Sequence, residues 1–170
     1  TGNNNIALGK DALSDNLTGT NNIAIGNQAL FYNIRGFNNT AIGSSALQFN
    51  TSGSYNTAIG LQALYSNSSG SHNTAIGQCA LGYNTTGNDN TAIGRNALCY
   101  NTSGYNNIAI GKESGTDAVA TISTQCHQIV MGNDAHTDAF IKIAWTVTSD
   151  KRDKTNFNNV LHGLNFVNQL

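Results

Sequence analysis

Side chains able to do chemistry are sparse in this 170-residue chain, and they do not converge. The cysteines are Cys79, Cys99 and Cys126, an odd number without a CxxC pair. Cys79 and Cys99 stand in different columns of the repeat described below, so they are not expected to stack. Neither a disulfide framework nor a zinc site is expected. His72 falls in a turn column otherwise filled by Asn, Tyr and Asp, and reads as a surface histidine. His127 and His136 lack ligand-like partners and read as structural. No cofactor or metal is expected, and without convergent carboxylates, histidines or a phosphate loop the repeats do not read as a conventional enzyme. Two features remain. One is an aromatic stripe, with Phe31-Tyr32, Phe49, Tyr65, Tyr83 and Tyr100 in neighbouring columns. Such rings stack on sugars or pack a subunit interface, and the interface is the expectation. The other is the run Ser149-Asp150-Lys151-Arg152-Asp153-Lys154-Thr155-Asn156-Phe157, in a chain only 10% charged. Val160, Leu161, Leu164 and Val167 follow it at helical spacing.

The elements that must position these groups are set by a repeat. The glycine closing an NTAIG-like segment falls at Gly9, Gly26, Gly43, Gly60, Gly77, Gly94 and Gly111, always 17 residues apart. In the first six units an Ala-Leu pair follows it, as at Ala46-Leu47, then an Asn, as at Asn50, then a second Gly, as at Gly53. A fixed short period without insertions marks stacked identical units. A 17-residue unit is too short for a strand-helix-strand crossover of about 30 residues. The unit predicts two strands of about four or five residues and two turns, one coil of a parallel β-solenoid. Stacked at about 4.8 Å, seven coils span on the order of 33 Å.

Period-2 alternation puts Thr40 and Ile42 on one face of the strand and Ala41 on the other. The expectation is an internal row of Ile42, Ile59, Ile76 and Ile93, and a second of Leu47, Leu64, Leu81 and Leu98. The asparagine columns are expected to form hydrogen-bonded ladders. The glycines are expected to supply positive φ or close backbone approach. The small Ala41, Ala58, Ala75 and Ala92 column invites another surface, and so predicts side-by-side oligomerisation.

Composition agrees. Net charge is -1, which gives no electrostatic case for nucleic acid or an anionic membrane, and no stretch of the sequence resembles a signal peptide or a membrane span. Proline is absent, which suits a chain with nearly every backbone N–H in a ladder. Eleven of the seventeen charged residues follow Gly111, so the composition changes there. The domains read as repeats over 1–115, an irregular terminal coil and neck strand over 116–148, and a separate module from 149 to 170. Gln128-Ile129-Val130-Met131-Gly132 echoes the repeat segment at an interval of 21, as a capping coil would. Ala139 to Val147 alternates and predicts a strand. The chain starts inside a repeat and stops in an apolar segment, and reads as a piece of a longer polypeptide.

The NTAIG-and-AL repeat resembles the YadA-like head repeat of trimeric autotransporter adhesins, and more closely the arrays of tailed-bacteriophage tail fibre proteins. This resemblance implies an all-β, left-handed parallel β-roll, assembled as a homotrimer. The segment S-D-x-R-x-K-x-N before an apolar helix resembles the opening of the intramolecular chaperone domain of phage tail spikes and fibres, the endosialidase-type S74 peptidase family. That resemblance maps a nucleophile to Ser149 and a lysine base to Lys154, with self-cleavage at Thr148–Ser149. A serine hydroxyl needs a base, and a lysine serves once desolvation lowers its pKa. Asp153 departs from the family's apolar residue, and its charge favours protonated Lys154. Residues 149–170 are the truncated start of this α-containing domain. The implied protein is a virion structural component, assembled in the host cytoplasm and working extracellularly. Its implied partners are a host cell-surface receptor, glycan or protein, and other tail proteins. The alternative is an adhesin head with a downstream stalk and membrane anchor. An ice-binding solenoid would need an unbroken Thr array, whereas the Thr40 column turns to Ile at both ends, at Ile6, Ile23 and Ile108.

Overall fold

The structure, a computed structural model, describes residues 2–116 and 121–136. Within them the chain is an all-β parallel solenoid of about seven 17-residue turns. Each turn contributes one three-residue strand: β1 (Ile6–Leu8), β2 (Ile23–Ile25), β3 (Thr40–Ile42), β4 (Thr57–Ile59), β5 (Thr74–Ile76), β6 (Thr91–Ile93), β7 (Ile108–Ile110) and β8 (Ile129–Met131). The eight strands form one parallel sheet in sequence order. Identical columns pair, as in Thr57↔Thr74, Ala58↔Ala75 and Ile59↔Ile76. The irregular interval does not break the stack, because Ile108 pairs with Ile129. The second apolar run, Ala46-Leu47, lies in a turn and is not the second strand that the sequence predicts.

That turn is held by backbone in the left-handed region. Leu13, Leu30, Leu47, Leu64, Leu81 and Leu98 all have φ between 49° and 54°. This conformation costs an L-residue about 1–2 kcal/mol. Leu30 through Leu98 are fully buried, which returns about 1.5–3 kcal/mol each. The Leu64 N–H also donates to Ala80 O of the next coil at 3.0 Å. Burial therefore outweighs the strain, and the leucine row is internal as the sequence predicts.

The isoleucine row is not. Ile42, Ile59, Ile76 and Ile93 are 36–38% exposed, whereas the intervening alanines, such as Ala41 and Ala58, are fully buried. The alternation is as predicted but its inward face is the opposite one. The interior of a coil is already filled by two alanine columns, the leucine column and two asparagine columns, all fully or almost fully buried. No space is left for a branched side chain. The alanine column therefore packs in its own coil's core and is not the surface offered to a neighbour.

Asparagine does the polar work of the interior. Asn67 Nδ2 donates to Asn50 Oδ1 at 2.8 Å and to Gly70 O at 2.9 Å. Asn56 Nδ2 donates to the same carbonyl at 2.8 Å, and Asn73 N–H donates to Asn56 Oδ1 at 3.0 Å. Each buried amide thus ties one coil to its neighbour, the Asn67 column through the preceding coil and the Asn56 column through the following one, and burial without penalty requires such pairing. The ladder ends at Asn101, whose Oδ1 is buried without a partner among the described residues. In the next coil the Thr102 N–H donates to Ser123 O, which puts Ile122, a residue with no amide to donate, after Asn101.

Two glycine columns allow the coils to approach. Gly60 has φ 131°, and a Cβ there would lie 2.7 Å from the Gly77 backbone. Gly70 has no such φ, but a Cβ would meet Asn67 Oδ1 and Gly87 O at 2.4 Å. At the C-terminal end Gly115 takes the leucine column, and Ile122, 3% exposed, comes in beside Leu98. The Ile122 side chain thus fills the space that a leucine takes in the other coils. Ser114, in the alanine column, is buried with Oγ donating to Val130 O at 2.8 Å.

Two outcomes are expected. Leu64→Ala should cost about 3 kcal/mol in urea unfolding. Leu64→Gly should cost no more, although glycine usually costs up to about 1 kcal/mol beyond alanine, because φ there is already positive. A glycine variant clearly weaker than the alanine variant would refute the strain argument. Asn67→Asp places a carboxylate against Asn50 Oδ1. Facing an amide oxygen raises its folded-state pKa, so relative to the parent the variant should be least stable at neutral pH and recover as pH falls through the raised value, fully by about 4, where the acid is protonated and can donate. Urea midpoints at pH 7 and pH 3.5, compared with the parent, check the sign.

Candidate functional site

The outward-facing columns after the leucine carry the aromatic stripe. Over the early coils its rings satisfy one another. Phe31 meets Tyr32 edge-on at 4.5 Å, Tyr32 stacks on Phe49 at 5.2 Å, and Phe49 meets Tyr65 edge-on at 5.0 Å. After Tyr65 the ribbon breaks. Ser66 and Gly82 occupy its two columns where bulky side chains stand in earlier coils. It resumes with Tyr83 and Tyr100, whose rings are 6.0 Å apart and within 7° of parallel.

The break opens a cleft of about 480 Å³. Tyr65, Tyr83 and Tyr100 line it with Gln62, Asn96 and Thr116, and Cys79, Cys99 and Glu113 contribute. Tyr83 and Tyr100 are 54% and 55% exposed. The Glu113 carboxylate is held by Arg95 at 2.9 Å and Lys112 at 3.5 Å, so it presents little free charge. Gln62 Oε1 lies 3.7 Å from Cys79 Sγ.

Cys79 and Cys99 are in different columns, as the sequence shows, yet they flank one glycine in adjacent coils. A Cβ at Gly82 would lie 3.2 Å from Cys79 O and 3.6 Å from Cys99 Sγ. Burial pushes the Cys99 thiol up, and Cys79 pushes it the same way against an opposing backbone contact from Gly82. A column-by-column reading misses this proximity because it follows residues along the stack and not diagonally across it. The glycine standing where Phe31, Gln48 and Tyr65 stand in other coils is the signal that marks it.

The other sequence-marked residues fall elsewhere. His72 stacks on Tyr55 at 4.8 Å, His127 meets Tyr105 edge-on, and His136 Nδ1 sits 2.8 Å from Asn133 Oδ1. Among the described residues no group of three His, Cys, Asp or Glu is placed to hold a metal. The repeat glycines from Gly9 to Gly111 all have positive φ, between 117° and 134°. Ser149, Lys154 and the Thr148–Ser149 bond lie outside the described residues, as does the strand predicted from Ala139 to Val147.

Thiol reactivity checks the cleft. Cys99 is 8% exposed, while Cys79 and Cys126 are more open. The thiolate is the nucleophile, so a raised pKa leaves less of it at pH 8, and iodoacetamide should label Cys99 roughly tenfold more slowly than Cys126. The Cys99 rate should continue rising with pH beyond the ordinary thiol range, because burial raises its pKa. Equal rates in the folded protein would contradict the burial described.

No protein-family model matches the chain, and no curated protein or solved structure matches it significantly.

Proposed function

We propose that this chain is a stiff structural and adhesive segment of a trimeric tail fibre on a tailed-bacteriophage virion. The observation that supports this reading best is the outward isoleucine column. Ile42, Ile59, Ile76 and Ile93 run along the solenoid with threonines beside them in the same strands, and neither column carries a charge. A contiguous exposed apolar strip of this kind marks an interaction surface. Every copy presents the strip at the same inter-coil spacing, so identical chains can pack side by side in register. Stiffness follows from the unbroken parallel ladder, in which each coil binds only its neighbours.

Two further parts of the reading rest on the resemblance. The segment from Ser149 begins a C-terminal chaperone that sets trimer register. Ser149 then attacks the Thr148 carbonyl, Lys154 takes the hydroxyl proton and delivers it to the leaving amine, and water hydrolyses the resulting ester. The partners are a host cell-surface receptor and other tail proteins.

Light scattering on the purified chain should give the mass of a trimer. Ile59→Asp combined with Ile76→Asp should give a folded monomer, since neither side chain contributes to the coil's own core. A folded wild-type monomer would overturn the assembly. Intact mass of a polypeptide carrying the whole C-terminal module should show loss of everything after Thr148. Ser149→Ala should remain whole, and two uncut proteins would remove the cleavage step.

A further inference from the structure

We propose that the cleft at Gly82 is a subsite for one neutral saccharide ring. Three observations converge on that chemistry. First, the cleft exists because of a local departure from the repeat. Gly82, which lines the cleft, omits a side chain that the same column supplies in other coils, such as Phe31, Gln48 and Tyr65. The volume of about 480 Å³ falls within the range of small-molecule sites.

Second, the walls are of two kinds. Tyr83 and Tyr100 stack on one another and remain more than half exposed, so the pair leaves its outer side to a ligand. The amides of Gln62 and Asn96 and the hydroxyl of Thr116 line the same space. A ligand matching both needs an apolar face for the rings and a rim of hydroxyls for the amides. A pyranose has both: its axial C–H groups form the face, and its equatorial hydroxyls donate and accept at the edge.

Third, the electrostatics select a neutral ligand. Among the described residues the one carboxylate in the lining, Glu113, is already paired with Arg95 and Lys112, and no unpaired cation lines the cleft to hold a phosphate or carboxylate. A planar nucleobase would use the tyrosine faces, but it offers fewer groups to the amide rim.

The proposal deepens the adhesive reading and rests on it for the source of the sugar, a cell-surface glycan. The test uses saturation-transfer NMR with the methyl glycosides of glucose, galactose and N-acetylglucosamine, and with adenosine. At least one glycoside should receive saturation at its ring C–H protons. Gly82→Gln introduces a side chain that the Gln48 column position already accommodates, and should reduce that signal roughly tenfold, as should Tyr83→Ala. Both variants should keep the parent's circular dichroism. No transfer to any glycoside, transfer undiminished in both variants, or binding of adenosine alone would overturn the proposal. Light scattering on the same samples separates the two readings. A monomer that binds a glycoside through Gly82 and Tyr83 sinks the fibre and sustains the subsite.

Discussion

The whole fold depends on one constraint: each coil must lie on the next at inter-strand distance, with no offset. The tightest expression of it is at the glycines. At Gly60 and Gly70 the neighbouring backbone or an amide oxygen occupies the place of a Cβ. A single methyl group there would separate coils whose strands, turns and amides are all hydrogen-bonded at one spacing. The period has no slip from Gly9 to Gly111 because a one-residue shift would misplace every column together.

The same constraint sets the composition of the interior. A coil of 17 residues encloses too little volume for the branched and aromatic side chains of an ordinary core. Alanine and leucine fill the apolar part, and asparagine fills the rest because it can satisfy its own polarity along the stack. Asn50, Asn67 and Asn84 each donate one N–H to the preceding amide and one to a turn carbonyl. This is a polar core with its groups paired, and it resembles a cross-β ladder closed within one chain. The cost appears in the backbone, where leucine is held at positive φ in every complete turn.

A repeat this strict makes departures conspicuous, and the departures carry the individuality of the molecule. At the C-terminal end of the stack Gly115 stands in the leucine column and the Ile122 side chain fills the space beside Leu98. Gly82 interrupts an otherwise continuous aromatic ribbon. Function on a solenoid is written in outward columns, where a substitution leaves the register untouched.

The sequence by itself determined the parallel stack, the 17-residue period, the leucine row, the amide ladders and the irregular coil paired through Ile129. These follow from periodicity, which any stacked arrangement must respect. It also determined that Thr40 and Ile42 share a face, but not which way that face points. Hydrophobicity placed isoleucine inside, while the enclosed volume admitted only alanine; that volume is a property of the closed coil, and no local pattern reports it. The second strand predicted at Ala46-Leu47 failed for a related reason, since closing so short a coil requires left-handed backbone that intrinsic preference disfavours. The cleft, too, was decided by the tertiary structure. Gly82 and Cys99 share a column that Cys79 does not. The three meet because a turn folds Gly82 back onto the Cys79 carbonyl, at 3.1 Å, and the next coil lays Cys99 beside it.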